Sequence, residues 1–412
     1  MRVEALWHIS TRPAPGPRSA GRLQRNDNLM AVAFRPNSTA GTRGFILPLT
    51  LWIIAAIGLV VVAVNAWVSQ AVDNARVLRE RADMDLAVAD VQNELVFTLG
   101  SRPMTYRGIE VGRLIEQIDR TDATALMTAD YRTDRYVRMD GRPYRLESKP
   151  DYVIRLYDGR GLINLNAVNA DYLRRMLGLF EIAEAERNSL VDALEDYTDR
   201  DDLTRISGAE AQDYVRLGRR PPANAWLMTP LEAQHVLGWD QIPALWKRDR
   251  DAPLLSTCTV TGFNPNTAPR EALLSNFSGL LEEDIQAILA RREERPFRNI
   301  REFAAAANTL IRDEPFYYTF APGACVIVEL LHLTSGERVR FSLTVDTISA
   351  KTRPWRIDYA FPIPADPESP DRKSPPEEVF PAPDTLDAAQ RADGESGGPG
   401  PPGALDREPG DD

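Results

Sequence analysis

An uninterrupted apolar run extends from Gly44 to Val68 and constrains the fold more than any other stretch of the chain. The run contains no charged residue, and the first charged residue after it is Asp73. An apolar stretch of this length can cross the hydrocarbon core of a bilayer, about 30 Å thick, as a helix. The sequence therefore predicts one transmembrane segment over residues 45–68.

A basic leader, residues 1–44, precedes this run and carries seven Arg against Glu4 and Asp27. Positive charge beside a span keeps that side in the cytoplasm, so the body is expected on the other side of the membrane. The apolar run is longer than the roughly 7–15 residues of a signal peptide, and Trp67-Val68-Ser69-Gln70 is a poor cleavage site. A plain membrane anchor is the simplest interpretation.

The charge and the cysteines limit the partners and the compartment. The chain has a net charge of −11, and removal of a leader with seven Arg and two acids, net +5, leaves −16. Such an acidic body is repelled by phosphate backbones, which argues against nucleic acid as a partner. Cys258 and Cys325 both follow the span, so an oxidising compartment would permit one disulfide between them, with two buried free thiols as the alternative.

Helical periodicity continues beyond the predicted span. Apolar residues recur at three- and four-residue steps from Val68 to Ala89, with charged residues on the other face. One helix is predicted over 45–99, ending near Gly100 with Pro103 just after it. At 1.5 Å per residue it would reach about 80 Å, so its upper half needs a surface to pack against.

The rest of the chain predicts an α+β fold in which strand regions flank a helical insertion. Two related helical hairpins, 162–195 and 262–307, each open with an Asn pair that is predicted to cap a helix. The predicted elements before and after them are a short helix at 111–127 and strands at 144–148, 152–157, 323–333, 338–349 and 355–361. The predicted domains are leader 1–44, span 45–68, helix and first strands 69–161, insertion 162–310, remaining strands 311–361, and a disordered acidic Pro/Gly tail 362–412.

The junction where Arg43-Gly44 meets Phe45 without a spacer resembles the type IV prepilin signal, which a membrane peptidase cuts after the Gly. Prepilins usually carry Glu at the fifth mature position, and its absence, here Leu49, is a feature of the K-type minor pseudopilins of type II secretion. The order of parts resembles the same family. The motifs that carry the resemblance are Gly161–Asn166, Leu194–Asp202 with Gly208–Glu210 and Tyr214, Phe263–Ala268 and Ile288–Phe303. The family usually has Trp at the position of Tyr197 and lacks Pro265.

The resemblance implies a structural role and no enzymatic activity. It implies cleavage after Gly44 by prepilin peptidase, N-methylation of Phe45, and a pilin-like fold with a SAM-like or helix-hairpin-helix-like insertion. The protein would initiate and cap a pseudopilus with the I- and J-type minor pseudopilins, followed by the H type and the major pseudopilin, and could meet exported substrate. A subunit at the tip has no neighbour above it whose N-terminal amine a Glu at the position of Leu49 would neutralise. The alternative is an uncleaved membrane-anchored periplasmic scaffold.

Six carboxylates lie within eighteen residues of the predicted insertion: Asp196, Asp199, Asp201, Asp202, Glu210 and Asp213. Closely spaced oxygen ligands suit Ca²⁺, and the resemblance also implies calcium, although the spacing is not that of an EF-hand. The alternative is a solvated acidic turn that caps a helix. No other cofactor is expected.

Catalysis and DNA binding are the remaining function classes. His235 and His332 have no nucleophile arrangement around them, so each is interpreted as a packed or surface histidine. The turns at 177–181 and 278–283 are similar to those of helix-hairpin-helix DNA modules, but each has a single Gly with acidic residues nearby. Neither class is expected.

Overall fold

The first helix, α1 (Ile46–Ser101), runs through most of the N-terminal quarter of the chain. The computed structural model describes residues 46–113, 133–167, 169–259, 261–308, 311, 317–345, 353–365 and 369–386. The chain divides into two units, Met1–Val72 and Asp73–Asp412. In the described part of the first unit, the α1 side chains from Leu47 to Val72 are exposed. By length and composition, the helix is long and apolar enough to cross a membrane.

In the second unit, the rest of α1 packs one face against a sheet. Met84, Ala87, Val91 and Leu95 are at most 4% exposed, and their spacing of three and four residues places them on one helical face. The helix ends at Ser101, because Gly100 weakens it and Pro103 cannot continue it. The predicted α+β class with a long N-terminal helix is thus confirmed.

Eleven strands are described, most of them short. They are β1 (Met104–Thr105), β2 (Gly108–Glu110), β3 (Tyr136–Val137), β4 (Asp140–Leu146), β5 (Tyr152–Asp158), β6 (Ile163–Asn164), β7 (Leu255–Ser256), β8 (Cys325–His332), β9 (Arg338–Val345), β10 (Trp355–Ile363) and β11 (Val379–Phe380). The predicted helix at 111–127 lies outside the described residues from position 114 onward.

The main sheet has six strands in the order β10-β9-β8-β5-β4-β11. Its first five strands pair antiparallel, and β11 joins β4 in parallel. Alternate residues of the central strands face α1: Ile154, Leu156, Val326, Val328 and Phe341 share one buried cluster with the α1 face. The opposite face of the sheet carries Tyr157 and Ile327, which join a smaller cluster with both cysteines.

A helical insertion separates β5 from β8. Its helices are α2 (Ala170–Leu179), α3 (Glu184–Thr198), α4 (Ala211–Arg216), α5 (Pro243–Asp251), α6 (Arg270–Asn276), α7 (Glu282–Glu294) and α8 (Ile300–Ala306). The insertion has its own apolar core, centred on the fully buried Trp239, Tyr214, Phe297 and Phe303. Strands β6 and β7 pair in parallel and hold the ends of its first half together.

The structure corrects the predicted disorder of the tail over residues 369–386. These residues form α9 (Pro370–Lys373) and β11 and bury Phe380 and Leu386, each 1% exposed, in the cluster shared by α1 and the sheet. The prediction was wrong because composition averages over the segment, whereas two well-placed apolar residues suffice to dock it. Residues 387–412 lie outside the described residues.

Candidate functional site

The predicted processing residues, Gly44 and Phe45, lie outside the described residues. Leu49, which replaces the usual carboxylate, lies in α1 and is 49% exposed. An exposed apolar side chain at this position carries no charge that could pair with an amine.

Within the second unit, α1 has a second face that the sheet leaves uncovered. Leu78 and Leu86 are 64% and 65% exposed. At about 100° per residue they lie roughly 80° apart on one side of the helix, and about 100° or more from Val91 and Leu95, which are fully buried against the sheet. Exposed leucines on one helix face are typical of surfaces that pack against other helices.

The acidic cluster is built around the end of α3 and the start of α4. Asp196 is fully buried in the last turn of α3, and its carboxylate accepts a hydrogen bond from the backbone N–H of Arg205 at 3.1 Å. Gly208 lies directly against this carboxylate, since a Cβ there would meet Asp196 Oδ2 at 2.0 Å. The loop between the two helices therefore folds closely over Asp196.

The Arg205 side chain enters the cluster and meets three of its carboxylates. The Arg205 guanidinium lies 2.7 Å from Glu195, 3.4 Å from Asp199 and 3.6 Å from Asp196. The sequence interpretation did not single out Arg205 or Glu195. The alternation of both signs in this stretch, with Arg200 and Arg205 among the acids, is the signal that could have found them.

The structure separates the six predicted ligands into two groups. Asp201, Asp202 and Asp213 accept hydrogen bonds that shape the chain, from Leu203 N, Asn224 Nδ2 and Glu210 N respectively. Asp196, Asp199 and Glu210 form the inner group, because Glu210 begins α4 facing the end of α3. The Asp213 carboxylate accepts the N–H of Glu210 at 3.1 Å, so Asp213 and Glu210 form a capping box at the start of α4, as the helix-capping alternative expects.

Some carboxylate oxygens of the inner group lack a close hydrogen bond. Glu210 is 5% exposed; its carboxylate faces the first backbone N–H groups of α4 in a capping box but makes no close hydrogen bond, and Oδ1 of Asp199 has no partner among the described residues. Burial raises the pKa of Glu210, and the charges of Asp196, Asp199 and Asp202 raise it further. Burial also raises the pKa values of Asp196 and Asp199. The cluster thus favours an added positive charge or proton.

The geometry of the protein atoms alone is not that of a formed metal site. In the part of the chain that the structure describes, no three His, Cys, Asp or Glu side chains form a group that could hold a metal ion. His332 instead stacks on Tyr152 with ring centroids 4.7 Å apart and contacts Ser335 through Nδ1. His235 ends the short 3₁₀ helix Pro230–His235.

A second polar centre lies where the insertion joins the sheet. The structure joins Cys258, just after β7, to Cys325, the first residue of β8, with Cα atoms 6.0 Å apart. Close by, the fully buried Asp158 carboxylate accepts hydrogen bonds from the backbone of Gly323 at 2.9 Å and from Asn264 Nδ2 at 2.8 Å. The covalent link and the buried carboxylate both tie the insertion to the sheet.

The two Asn pairs have the same role, but it is not the predicted one. In each pair the first Asn accepts a hydrogen bond from the backbone N–H of the second, so both pairs form tight Asx turns. Asn166 then bonds both the N–H and the C=O of Leu227, and Asn266 bonds both groups of Phe297. The N-cap prediction was wrong, because α2 and α6 begin several residues later, after Asn169 and Pro269.

Comparison with known proteins gives two family matches. Residues 155–245 and residues 263–311 each match a family model described as type II secretion system protein K. One chain of the crystal structure of the GspK-GspI-GspJ complex from the enterotoxigenic Escherichia coli type 2 secretion system is also similar. It is 14% identical, with a TM-score of 0.45, over 69% of this chain and 97% of that one. No curated protein sequence matches the chain.

The fold and the insertion together define a class of α+β protein with a membrane-anchor-type N-terminal helix and a helical region inserted into its sheet. Both family matches lie in that region or at its borders, and they cover both Asn turns. The resemblance to the K-type proteins is thereby confirmed: the chain is a GspK-like minor pseudopilin of a type II secretion system. This family is a structural component of the secretion system and is not known as an enzyme.

Proposed function

We propose that this protein initiates and caps the pseudopilus, after cleavage behind Gly44 and methylation of Phe45. The observation that carries the proposal is the exposed apolar face of α1 in the second unit, Leu78 and Leu86, which a neighbouring pseudopilin helix would cover. The other minor pseudopilins, of the I and J types and then the H type, are the proposed partners, followed by the major pseudopilin.

Two features support a place at the tip. Leu49 carries no charge, so it cannot neutralise the N-terminal amine of a neighbour, and a first-inserted subunit has no neighbour that needs it. The insertion has its own apolar core. It enlarges the body of the protein, which would lie outside the bundle of N-terminal helices in the fibre. The body would lie in the periplasm with the N-terminus at the cytoplasmic side of the inner membrane, where prepilin peptidase acts, and exported substrate would meet the insertion.

Mass spectrometry of the native N-terminus tests the processing. A mature chain that begins with N-methylated phenylalanine at position 45 is expected, and replacement of Gly44 by a bulky residue should leave the leader attached. A functional protein that retains its leader would instead favour the alternative, an uncleaved membrane-anchored scaffold. The matched control is a bulky substitution at Gly41, which leaves the junction itself unchanged.

Site-specific cross-linking tests the place in the fibre. A photo-reactive residue at Leu86 should link to another minor pseudopilin, whereas one at an exposed site away from α1, such as Leu281 in the insertion, should not. An equal yield of cross-links from both positions, or links to the major pseudopilin alone, would contradict the tip assignment.

We further propose that the inner acidic group binds Ca²⁺. Asp196, Asp199 and Glu210 would supply the oxygens, and the unpartnered oxygens of Glu210 and Asp199 fit a hard cation. When bound, the ion would neutralise the mutual repulsion of these carboxylates and fix the end of α3 to the start of α4. Calcium titration should raise the melting temperature of the native protein above its value in chelator. An unchanged melting temperature at millimolar Ca²⁺ would leave the group as a solvated acidic turn.

A further inference from the structure

The C-terminal segment 369–386, called the strap here, crosses the second unit and touches it at four places. Near its start, the Asp371 carboxylate accepts hydrogen bonds from Nε and Nη2 of Arg155 in β5, at 3.2 and 2.7 Å. Asp371 is only 6% exposed, so this ion pair is largely shielded from water. The first contact is therefore a charged pair on the sheet face that carries the insertion.

The second contact is to the turn between β8 and β9. Arg372 donates from Nε to the carbonyl of Leu333 at 3.0 Å and from Nη2 to the carbonyl of Thr334 at 2.9 Å. Gly336, with φ +78°, lies directly beneath this guanidinium, since a Cβ there would meet Arg372 Nη1 at 2.6 Å. The turn thus provides two carbonyl acceptors and an open position for one arginine.

The third contact is a short strand pairing at the edge of the sheet. The N–H of Arg145 donates to the carbonyl of Glu378 at 2.9 Å, and the N–H of Glu147 donates to the carbonyl of Phe380 at 3.0 Å. The next N–H that would point to this edge belongs to position 143, which is a proline and has none. Pairing therefore ends after two residues, and the edge accepts only a short extended segment.

The fourth contact is apolar. Phe380 and Leu386 are each 1% exposed and lie in the buried cluster shared by α1 and the sheet. The carbonyl of Leu386 accepts a hydrogen bond from Arg102, just beyond the end of α1. Two separate apolar positions are thus filled by two side chains of one extended segment.

We infer that these contacts form a peptide-binding groove whose occupant is the chain's own strap. The groove presents arginines at positions 155 and 102, the two turn carbonyls, the β4 edge and two apolar positions. It fits an extended segment with an Asp-Arg pair followed at a distance by Phe and Leu. While the strap is bound, the backbone donors of β4 are covered, so strands of other chains cannot pair there.

A protease site placed between Ala365 and Ser369 of the full chain provides the test, because the protein folds before the cut is made. After cleavage, the fragment that begins at Ser369 should co-elute with the rest of the chain in stoichiometric amount. The same fragment with Phe380→Ala should separate, because its main apolar contact is lost. The matched control is Thr385→Ala, an exposed position of the strap, which should be retained like the unmodified fragment.

A labelled synthetic peptide of residues 369–386 gives the second measurement. It should bind the cut protein after its own fragment has been removed, and it should not bind the uncut protein, whose groove is occupied. Immediate loss of the unmodified fragment after cleavage, or equal retention of the Phe380→Ala fragment, would overturn the inference. Equal peptide binding to cut and uncut protein would also overturn it.

Discussion

At the scale of single residues, Asn166 and Asn266 are the most informative side chains. Each forms hydrogen bonds with both the N–H and the C=O of one distant residue, Leu227 and Phe297 respectively. Asn266 donates to the carbonyls of Phe297 and Phe320 at 2.8 and 3.0 Å and accepts from the N–H of Phe297 at 2.8 Å. It is 5% exposed, so these groups have no access to water if the amide is removed. Asn166 makes the equivalent bonds to Leu227 but is only half-buried.

Asn266→Ala is therefore expected to lower the free energy of unfolding by about 2–4 kcal/mol, because each buried polar group left without a partner costs roughly 1–3 kcal/mol. Asn166→Ala should cost less, since water can reach its partners. Denaturant unfolding of the detergent-solubilised protein would measure both variants. Equal losses for the two would show that burial does not set the difference.

Glu210 provides a prediction on pH. Because burial and neighbouring carboxylates raise its pKa, the folded state binds this proton more tightly than the unfolded state. Without a bound cation, Glu210 contributes most to the free energy of unfolding at pH values below its pKa in the unfolded chain, about 4.3. This contribution is lost as the pH rises towards the higher pKa of Glu210 in the folded protein. Glu210→Gln should thus be more stable than the unmodified protein at pH 7 in chelator, and its melting temperature should no longer respond to calcium. Melting curves from pH 4 to 8 would decide, and a less stable variant in chelator would contradict the argument.

At the scale of elements, the sequence predicts what depends on local pattern. The periodicity of α1 and the Gly100 to Pro103 signal placed its end within two residues of Ser101. The Asn pairs were correctly seen as repeated, but their role depends on Leu227 and Phe297, which lie 61 and 31 residues away. The strap was missed for the same reason, since β11 pairs with β4 across more than 200 residues. Contacts over such distances leave no periodic signal in the chain.

Within α1, the covered and uncovered faces should respond differently to substitution. Leu95→Ala, at a position with no exposure, is expected to lower the free energy of unfolding by about 2–5 kcal/mol through the cavity it leaves. Leu86→Ala, 65% exposed, should change stability by less than about 0.5 kcal/mol yet weaken cross-linking to other minor pseudopilins from a photo-reactive residue at Leu78 on the same face. Unfolding and cross-linking of the two variants give the comparison, and a normal cross-link yield from Leu86→Ala would remove this face from the proposed assembly surface.

At the scale of the whole molecule, a covalent and hydrogen-bonded junction lies where the insertion leaves and re-enters the sheet. The insertion leaves the sheet after β5 and returns before β8, and these two strands pair over seven residues. Asp158 at the end of β5 and Cys325 at the start of β8 therefore lie close together, and each bonds to the second half of the insertion, at Asn264 and Cys258. Under the proposed tip role, force between the insertion and the sheet would pass through this junction together with the ion pairs Arg340–Asp249 and Arg138–Glu293.

The disulfide should contribute most of the strength of that junction. It closes a loop with a sequence separation of 67, which corresponds to about 4 kcal/mol of unfolded-state entropy in the chain-entropy estimate. Cys258→Ser with Cys325→Ser is therefore expected to lower the free energy of unfolding by roughly 2–4 kcal/mol and to make the insertion the first part attacked in limited proteolysis. Thiol reductant should shift the unmodified protein to the same unfolding midpoint and leave the double variant unchanged. Because both sulfurs are nearly or fully buried, reduction should be slow in the folded state and fast once denaturant opens the junction.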